Sequence, residues 1–332
     1  MKDKILVTGA DGFIGSHLVE KLVSLNFKVK AFVFYNSMNS YGWLNNIDQK
    51  ILNNIEIISG DIRDYNFLEK NTKNIDVIYH LAALIAIPYS YYSPKSYIDT
   101  NIIGTYNILE ASKKNNLSKV IITSTSEVYG SAQTIPIAEN HSLNAQSPYA
   151  ATKTAADQLA LSFYKSFNLP ITILRPFNTY GPRQSARAII PTIITQLLNN
   201  SKILKIGNTK PTRDFTYIED TVNAFVQLTK YNLFGEIINI GNKFEISISD
   251  IIDIFRNDFG YDFKLKIDPN RTRSKKSEVN RLFADNSKAK KLIKWKSEYS
   301  GISGFKKGLK KTINWFSDTK NIKNYNSKIY NI

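Results

Sequence analysis

The sequence predicts an α/β protein, a doubly wound parallel sheet joined to a smaller, mixed α/β domain. Three observations carry this. Short apolar runs alternate with amphipathic helical patterns through the first half of the chain, the pattern of β–α–β units. The first of those runs leads straight into a glycine-rich turn and a helix. After Arg175 the alternation weakens, and loops and shorter helices take over.

The elements follow in order. Residues 4–8 are a strand and 16–26 a helix, with Leu18, Leu22 and Leu25 on one face. Strands are expected at 27–34, 55–59, 76–80, 118–123 and 170–175, with helices at 96–114 and 148–167 between them. Right-handed crossovers then set the strand C-termini along one edge, where ligands bind. Farther on, helices are expected at 190–198, 218–231, 247–259, 287–294 and 302–316, a strand at 236–241, and a basic loop at 268–277. The first domain is 1–176 plus about 216–243 and the second about 177–215 plus 244–317, with 318–332 a polar, loose tail.

Composition narrows the function. There is no cysteine, so disulfides and thiolate chemistry are excluded. No apolar run reaches the roughly 18 residues of a membrane span, and 4–7 enter a strand with no signal-peptide pattern before them. A cytoplasmic protein is expected. The net charge is +16, but the lysines are scattered and no arginine-aromatic stripe accompanies them. We therefore expect no nucleic-acid partner, while an anionic small substrate would gain from the field. No His/Asp/Glu cluster has metal-ligand spacing, and no metal site is expected. Of the three histidines, His17 reads as structural and His80 as a packing or cofactor-adjacent residue.

Three motifs carry chemistry. Gly9, Gly12 and Gly15 lie between the first strand and the first helix. Gly9 permits a tight turn, Gly12 lets backbone approach a pyrophosphate, and Gly15 lets helix pack on strand, so a dinucleotide is expected on the helix N-terminus. The second strand ends Phe34-Tyr35-Asn36-Ser37, with neither the acid of NAD enzymes nor the arginine of many NADP enzymes. Asn36 can bond either cofactor; the choice stays open, with NAD preferred. Second, Tyr149 and Lys153 lie four apart, so on a helix they share a face. An ammonium beside the phenol would lower its pKa and make Tyr149 a base. Third, Thr125-Ser126-Glu127 follows the fifth strand at the ligand edge. Thr125 would hold a substrate hydroxyl, and Glu127 supplies a second acid/base, which suggests elimination next to a carbonyl.

Together these motifs resemble the extended short-chain dehydrogenase/reductases that act on nucleotide sugars. The likeness spans most of the chain, through Gly60-Asp61, His80-Leu81-Ala82-Ala83, Asn101-Ile102-Ile103-Gly104-Thr105, Arg175-Pro176-Phe177-Asn178-Thr179-Tyr180-Gly181-Pro182 and Arg213-Asp214-Phe215. Within that family it is similar to the 4,6-dehydratases, most of all those acting on GDP-N-acetylglucosamine in legionaminic acid biosynthesis. The runs 82–91 and 183–191 carry that closer likeness. The resemblance implies a lyase with a tightly bound NAD or NADP, recycled at each turnover. Tyr149 would take the proton of the sugar 4-hydroxyl during C4 oxidation, and Glu127 the C5 proton. Water would leave from C6, and the hydride would return there.

By the same resemblance the cofactor is held by Gly9, Gly12, Phe13, Ile14, Gly15, Asn36, Asp61, Ile62, Leu81, Ala82 and Ala83, with Tyr149 and Lys153. The substrate is held by Asn178, Arg187, Arg213 and Arg273. Many 4,6-dehydratases carry an aspartate where this chain has Ser126, which leaves Ser126 or Glu127 to protonate the departing water. The rivals are a UDP-glucuronate decarboxylase, a nucleotide-sugar 4-epimerase and, outside enzymes, a cofactor-sensing regulator. A homodimer through a four-helix bundle of 96–115 and 148–167 is also implied.

Overall fold

The computed structural model describes residues 3–326. Among them are twelve strands: β1 (Lys4–Thr8), β2 (Lys28–Phe34), β3 (Ile55–Gly60), β4 (Val77–His80), β5 (Lys119–Thr123), β6 (Ile171–Pro176), β7 (Asn178–Tyr180), β8 (Ile203–Ile206), β9 (Thr212–Tyr217), β10 (Ile237–Ile240), β11 (Glu245–Ser247) and β12 (Lys264–Ile267). Seven form one sheet in the order β10-β6-β5-β4-β1-β2-β3. Every pairing in it is parallel. Its central strands are buried on both faces, hence the near-continuous Val/Ile/Leu of β1, β4 and β5.

Helices cover both faces. Leu18, Val19 and Leu22 of helix Phe13–Ser24 share a core with Val222, Ala224 and Phe225 of helix Ile218–Lys230. Ile108 and Leu109 of helix Gly104–Lys114 share the opposite core with Ala160 and Phe163 of helix Pro148–Phe167. The chain reverses direction of travel across the sheet between β1 and β4. The turns after β1, β4, β5 and β6 therefore meet at one edge, and the crevice there is the place for a ligand.

The structure departs from the sequence reading in three places. The expected helix at 96–114 is broken: a short helix, Pro94–Tyr97, passes through a π-helical turn, Ile98–Ile103, into Gly104–Lys114. Two small sheets were not foreseen, β11-β9-β7 and β12-β8. β7 and β11 have three residues each, and β12 is exposed along its whole length, so no period-2 pattern marks them. Finally, the first part of the expected loose tail is packed. Asp318 caps helix Thr319–Ile322 by accepting from Lys320 N–H. Tyr325 stacks on Trp43 with ring centroids 5.9 Å apart, lies 4.8 Å from Phe316, and donates its hydroxyl to Gln184 O at 3.0 Å. Residues 327–332 lie outside the described residues.

Candidate active site

The glycine turn is held by sterics. Gly9 has φ +68, and a Cβ there would lie 2.8 Å from Ala82 N; one at Gly15 would lie 2.0 Å from Gly9 O. Helix Phe13–Ser24 starts at Gly12 with no side-chain cap and no acid in its first turn. Its first amides thus face the crevice edge uncapped, and an anion such as a pyrophosphate fits that end.

The turn after β4 is locked onto this one. The Thr8 hydroxyl accepts from Leu81 N–H (3.1 Å) and Ala82 N–H (3.2 Å) and meets His80 Nδ1 at 2.9 Å. His80 Nε2 lies 3.1 Å from Thr105 Oγ1, which donates to Asn101 O at 2.6 Å. With two N–H groups already on Thr8, its proton goes to Nδ1 and the ring proton sits on Nε2. Burial, aided by the Lys153 charge, takes the His80 pKa down to about 3. His80 is a neutral linker here. Asn101, on the π-turn, donates to Leu84 O (2.9 Å) and Thr152 Oγ1 (3.1 Å), which ties the cofactor-side turn to the helix bearing Tyr149. The π-turn is what brings its side chain there.

Around Tyr149 the expected residues converge. Burial raises the Tyr149 pKa, with Thr125 opposing the rise and the Glu127 charge adding to it, which places both side chains near the phenol. Glu127 is 9 % exposed, on the short turn Ser126–Tyr129, and its N–H donates to Thr125 Oγ1 at 3.2 Å. Ser126 is buried in the same turn. The Glu127 charge also reaches Arg213, whose pKa burial lowers while Glu127 opposes the fall. Arg213 Nη2 meets Glu278 Oε1 at 3.4 Å, and Arg273 Nη1 lies 3.9 Å from the same oxygen. Arg273 Nη1 and Asn178 Oδ1 are buried and find no hydrogen-bond partner among the described residues. A carboxylate, a phenol and two arginines are thus coupled through Glu127, with Lys153 on the helix face of the phenol, which suits proton abstraction from an anionic, hydroxyl-bearing molecule.

A family model described as GDP-mannose 4,6 dehydratase matches residues 6–312. A dTDP-D-glucose 4,6-dehydratase of Dictyostelium discoideum is 37% identical, over 75% of this chain and 60% of its own length. A UDP-N-acetyl-alpha-D-glucosaminuronate decarboxylase of Bacillus cytotoxicus is 34% identical over 97% of this chain and 100% of its own. The crystal structure of the UDP-glucuronic acid 4-epimerase of Bacillus cereus, in complex with UDP-glucuronic acid and NAD, has a TM-score of 0.84. It is 34% identical over 94% of this chain and 98% of that one. This chain belongs to the nucleotide-sugar dehydratase and epimerase family of extended short-chain dehydrogenase/reductases.

One detail of this dehydratase/epimerase chain differs from the sequence reading, and three other expected residues, Asn36, Asp61 and Arg187, have partners of their own. Lys153 does share the face of Tyr149, but its Nζ donates to Thr123 O at 2.5 Å rather than to the phenol. Burial pushes the phenol well above its usual range, and the Thr125 bond opposes that only in part. The expected fall in the Tyr149 pKa is not what the structure gives. Asn36 is engaged by its own loop: it donates to Ser40 O (2.8 Å) and accepts from Met38 and Ser40 N–H. Asp61 is held by the Arg63 guanidinium, which keeps its carboxyl below the usual range. Arg187 is exposed and bonds Ser185 Oγ.

Other residues of the site were not foreseen. Asp157, one turn after Lys153 on the same helix, is fully buried and accepts from Ser124 Oγ (2.7 Å) and Arg175 Nε (3.0 Å). Its i+4 spacing from Lys153 was the available signal. Asn101 lay in a run that carried the family likeness without a role of its own, and Glu278 carried no signal. Among the described residues no helix is long and apolar enough to cross a membrane, and no group of three or more His, Cys, Asp or Glu is placed to hold a metal.

Proposed function

We propose that this chain is an NAD-dependent nucleotide-sugar 4,6-dehydratase acting on a nucleotide-linked N-acetylhexosamine, with GDP-N-acetylglucosamine the first substrate to test. One observation carries the reaction type: a buried glutamate, Glu127, sits within charge range of both the Thr125–Tyr149 pair and Arg213. Oxidation and reduction at C4 need only the phenol. A carboxylate beside it supplies the second base that elimination requires.

Tyr149, oriented by Thr125, takes the proton of the sugar 4-hydroxyl. When bound, a nicotinamide would supply the hydride acceptor for C4 and the hydride donor for C6. Once C4 is a ketone, the C5 proton is acidic, and Glu127 removes it as water leaves from C6. Glu127, then protonated, is placed to hand that proton to the departing hydroxyl, a role for which Ser126 is the other candidate; C5 takes a proton from solvent as the hydride reaches C6, and Tyr149 releases the 4-hydroxyl proton to solvent, so the net change is the loss of one water. Arg213 and Arg273 pair with the diphosphate, whose charge replaces that of Glu278. Asn178, with its free carbonyl oxygen, bonds the nucleotide or sugar. The glycine turn with Phe13 and Ile14, the 81–83 turn, and Asp61-Ile62 hold the cofactor.

We assign 1–176 with 216–243 to the cofactor domain, and 177–215 with 244–317 to the substrate domain. The enzyme is a cytoplasmic homodimer built on helices Gly104–Lys114 and Pro148–Phe167; exposed Ile98, Ile103 and Tyr106 support that face. The second reading is decarboxylation or 4-epimerisation of a UDP-uronic acid, favoured by the reactions of the relatives.

The test is Glu127→Gln incubated with the nucleotide sugar. It should oxidise C4 and accumulate reduced cofactor, read from its near-ultraviolet absorbance, without losing water. Dehydration at the wild-type rate would remove Glu127 from the mechanism.

A further inference from the structure

The geometry points to Asp11 as the residue that selects the cofactor, favouring the free 2′-hydroxyl of NAD over the 2′-phosphate of NADP. This rests on the proposed nicotinamide dependence and adds which dinucleotide the site takes and why.

In doubly wound folds the adenosine ribose lies at the end of the second strand, where an acid accepts from its hydroxyls and repels a phosphate. β2 itself offers no acid: it ends at Phe34, followed by Tyr35-Asn36-Ser37. The acid arrives from the glycine turn. Asp11, just before Gly12, accepts from Phe34 N–H through Oδ2 at 3.3 Å, so its carboxyl sits at the missing position.

The backbone fixes it there. Trp43 N–H donates to Asp11 O at 3.0 Å. Gly42, at φ +57, lies so close that a Cβ on it would stand 2.5 Å from Asp11 O and 2.9 Å from Asp11 Cβ. Trp43 is in turn packed by Trp315 (5.5 Å) and Tyr325 (5.9 Å). The neighbouring polar groups are engaged elsewhere: Asn36 by its own loop, and Arg63, at the end of β3, by Asp61. The group that meets the ribose 2′ position is therefore a carboxyl, whose pKa burial raises while the Phe34 N–H opposes the rise. A 2′-phosphate would be placed against a carboxylate, and like charges at such a distance are strongly disfavoured.

The experiment strips the purified enzyme of nucleotide and titrates it with NAD and NADP by calorimetry. Wild type should bind NAD at least about tenfold more tightly. Asp11→Asn keeps an acceptor for Phe34 N–H and removes the charge; it should tighten NADP about tenfold and leave NAD within a few-fold. Asp11→Ser, which is shorter, should move the ratio the same way, and Tm reports whether either variant has lost its fold. A ratio unmoved in both folded variants, or a wild-type preference for NADP, overturns the assignment while leaving the dehydratase reading intact. Binding of neither dinucleotide by wild type sinks both.

Discussion

The two walls of the crevice are built on opposite plans. On the cofactor side, the named polar groups are committed before any ligand arrives. Thr8, His80, Thr105 and Asn101 form one connected chain, and the side chains of Asn36 and Asp11 are tied to backbone. On the substrate side, Asn178 Oδ1 and Arg273 Nη1 are buried without a hydrogen-bond partner among the described residues, and Arg213, whose Nη1 donates to Thr212 O at 3.0 Å, meets Glu278 only at 3.4 Å through Nη2. A group that stays for many turnovers suits a preformed seat. A substrate that comes and goes suits polar atoms whose bonds are completed only when it binds.

Substitutions that touch one wall at a time separate the two plans. Tyr149→Phe strikes where both walls meet. It should lower kcat about a thousandfold while leaving cofactor affinity within a few-fold, as turnover and binding assays on one preparation would establish. Arg213→Met touches only the substrate wall. It should raise KM for the nucleotide sugar about thirtyfold and leave cofactor affinity alone; a loss of cofactor as well would mean that the walls are not independent.

Lys153 gives a pH test of intermediate size. Burial lowers its pKa from 10.5 to about 8, with Asp157 opposing the fall. The ammonium is then lost as pH rises through about 8, and kcat should fall there. Lys153→Arg, which keeps its charge, should abolish that alkaline limb. Between pH 8 and 10.5 the unfolded chain binds the extra proton, so stability should rise with pH across the same window.

The smallest effect is expected at Tyr325, which braces the cofactor wall from behind. Tyr325→Ala should lower Tm by about 3 °C and speed limited proteolysis within 36–42. Tyr325→Phe keeps the ring contacts with Trp43 and Phe316 and should restore most of both.

How much of this was legible depends on what kind of signal each part leaves. β1 and helix Pro148–Phe167 were readable to the residue, because β1 is a continuous apolar run before the glycine turn, and Pro148 at the first helical position and the Ser147 cap mark where the helix starts. Gly9, Gly12, Gly15, Thr125, Glu127 and Tyr149 were legible because the chemistry needs those residue types at those places. The small sheets were not, since β7 and β11 have three residues each and β12 is exposed throughout, so their pairing with β9 and β8 is set by tertiary contacts. The state of Lys153 was misjudged for a similar reason. Spacing gives the shared face, but only the fold shows that Thr123 O is the nearer partner. Asp11 lay unnoticed inside the glycine motif, because its role depends on Phe34 arriving beside it from β2.

The most direct test of the central claim is product mass. The wild-type enzyme is incubated separately with GDP-N-acetylglucosamine, UDP-N-acetylglucosamine, GDP-mannose and UDP-glucuronate, and the products are weighed by mass spectrometry. One of the first three should lose one water. Loss of carbon dioxide from UDP-glucuronate, or a change of sugar configuration with no change of mass, would contradict the claim and assign Glu127 to a decarboxylase or an epimerase.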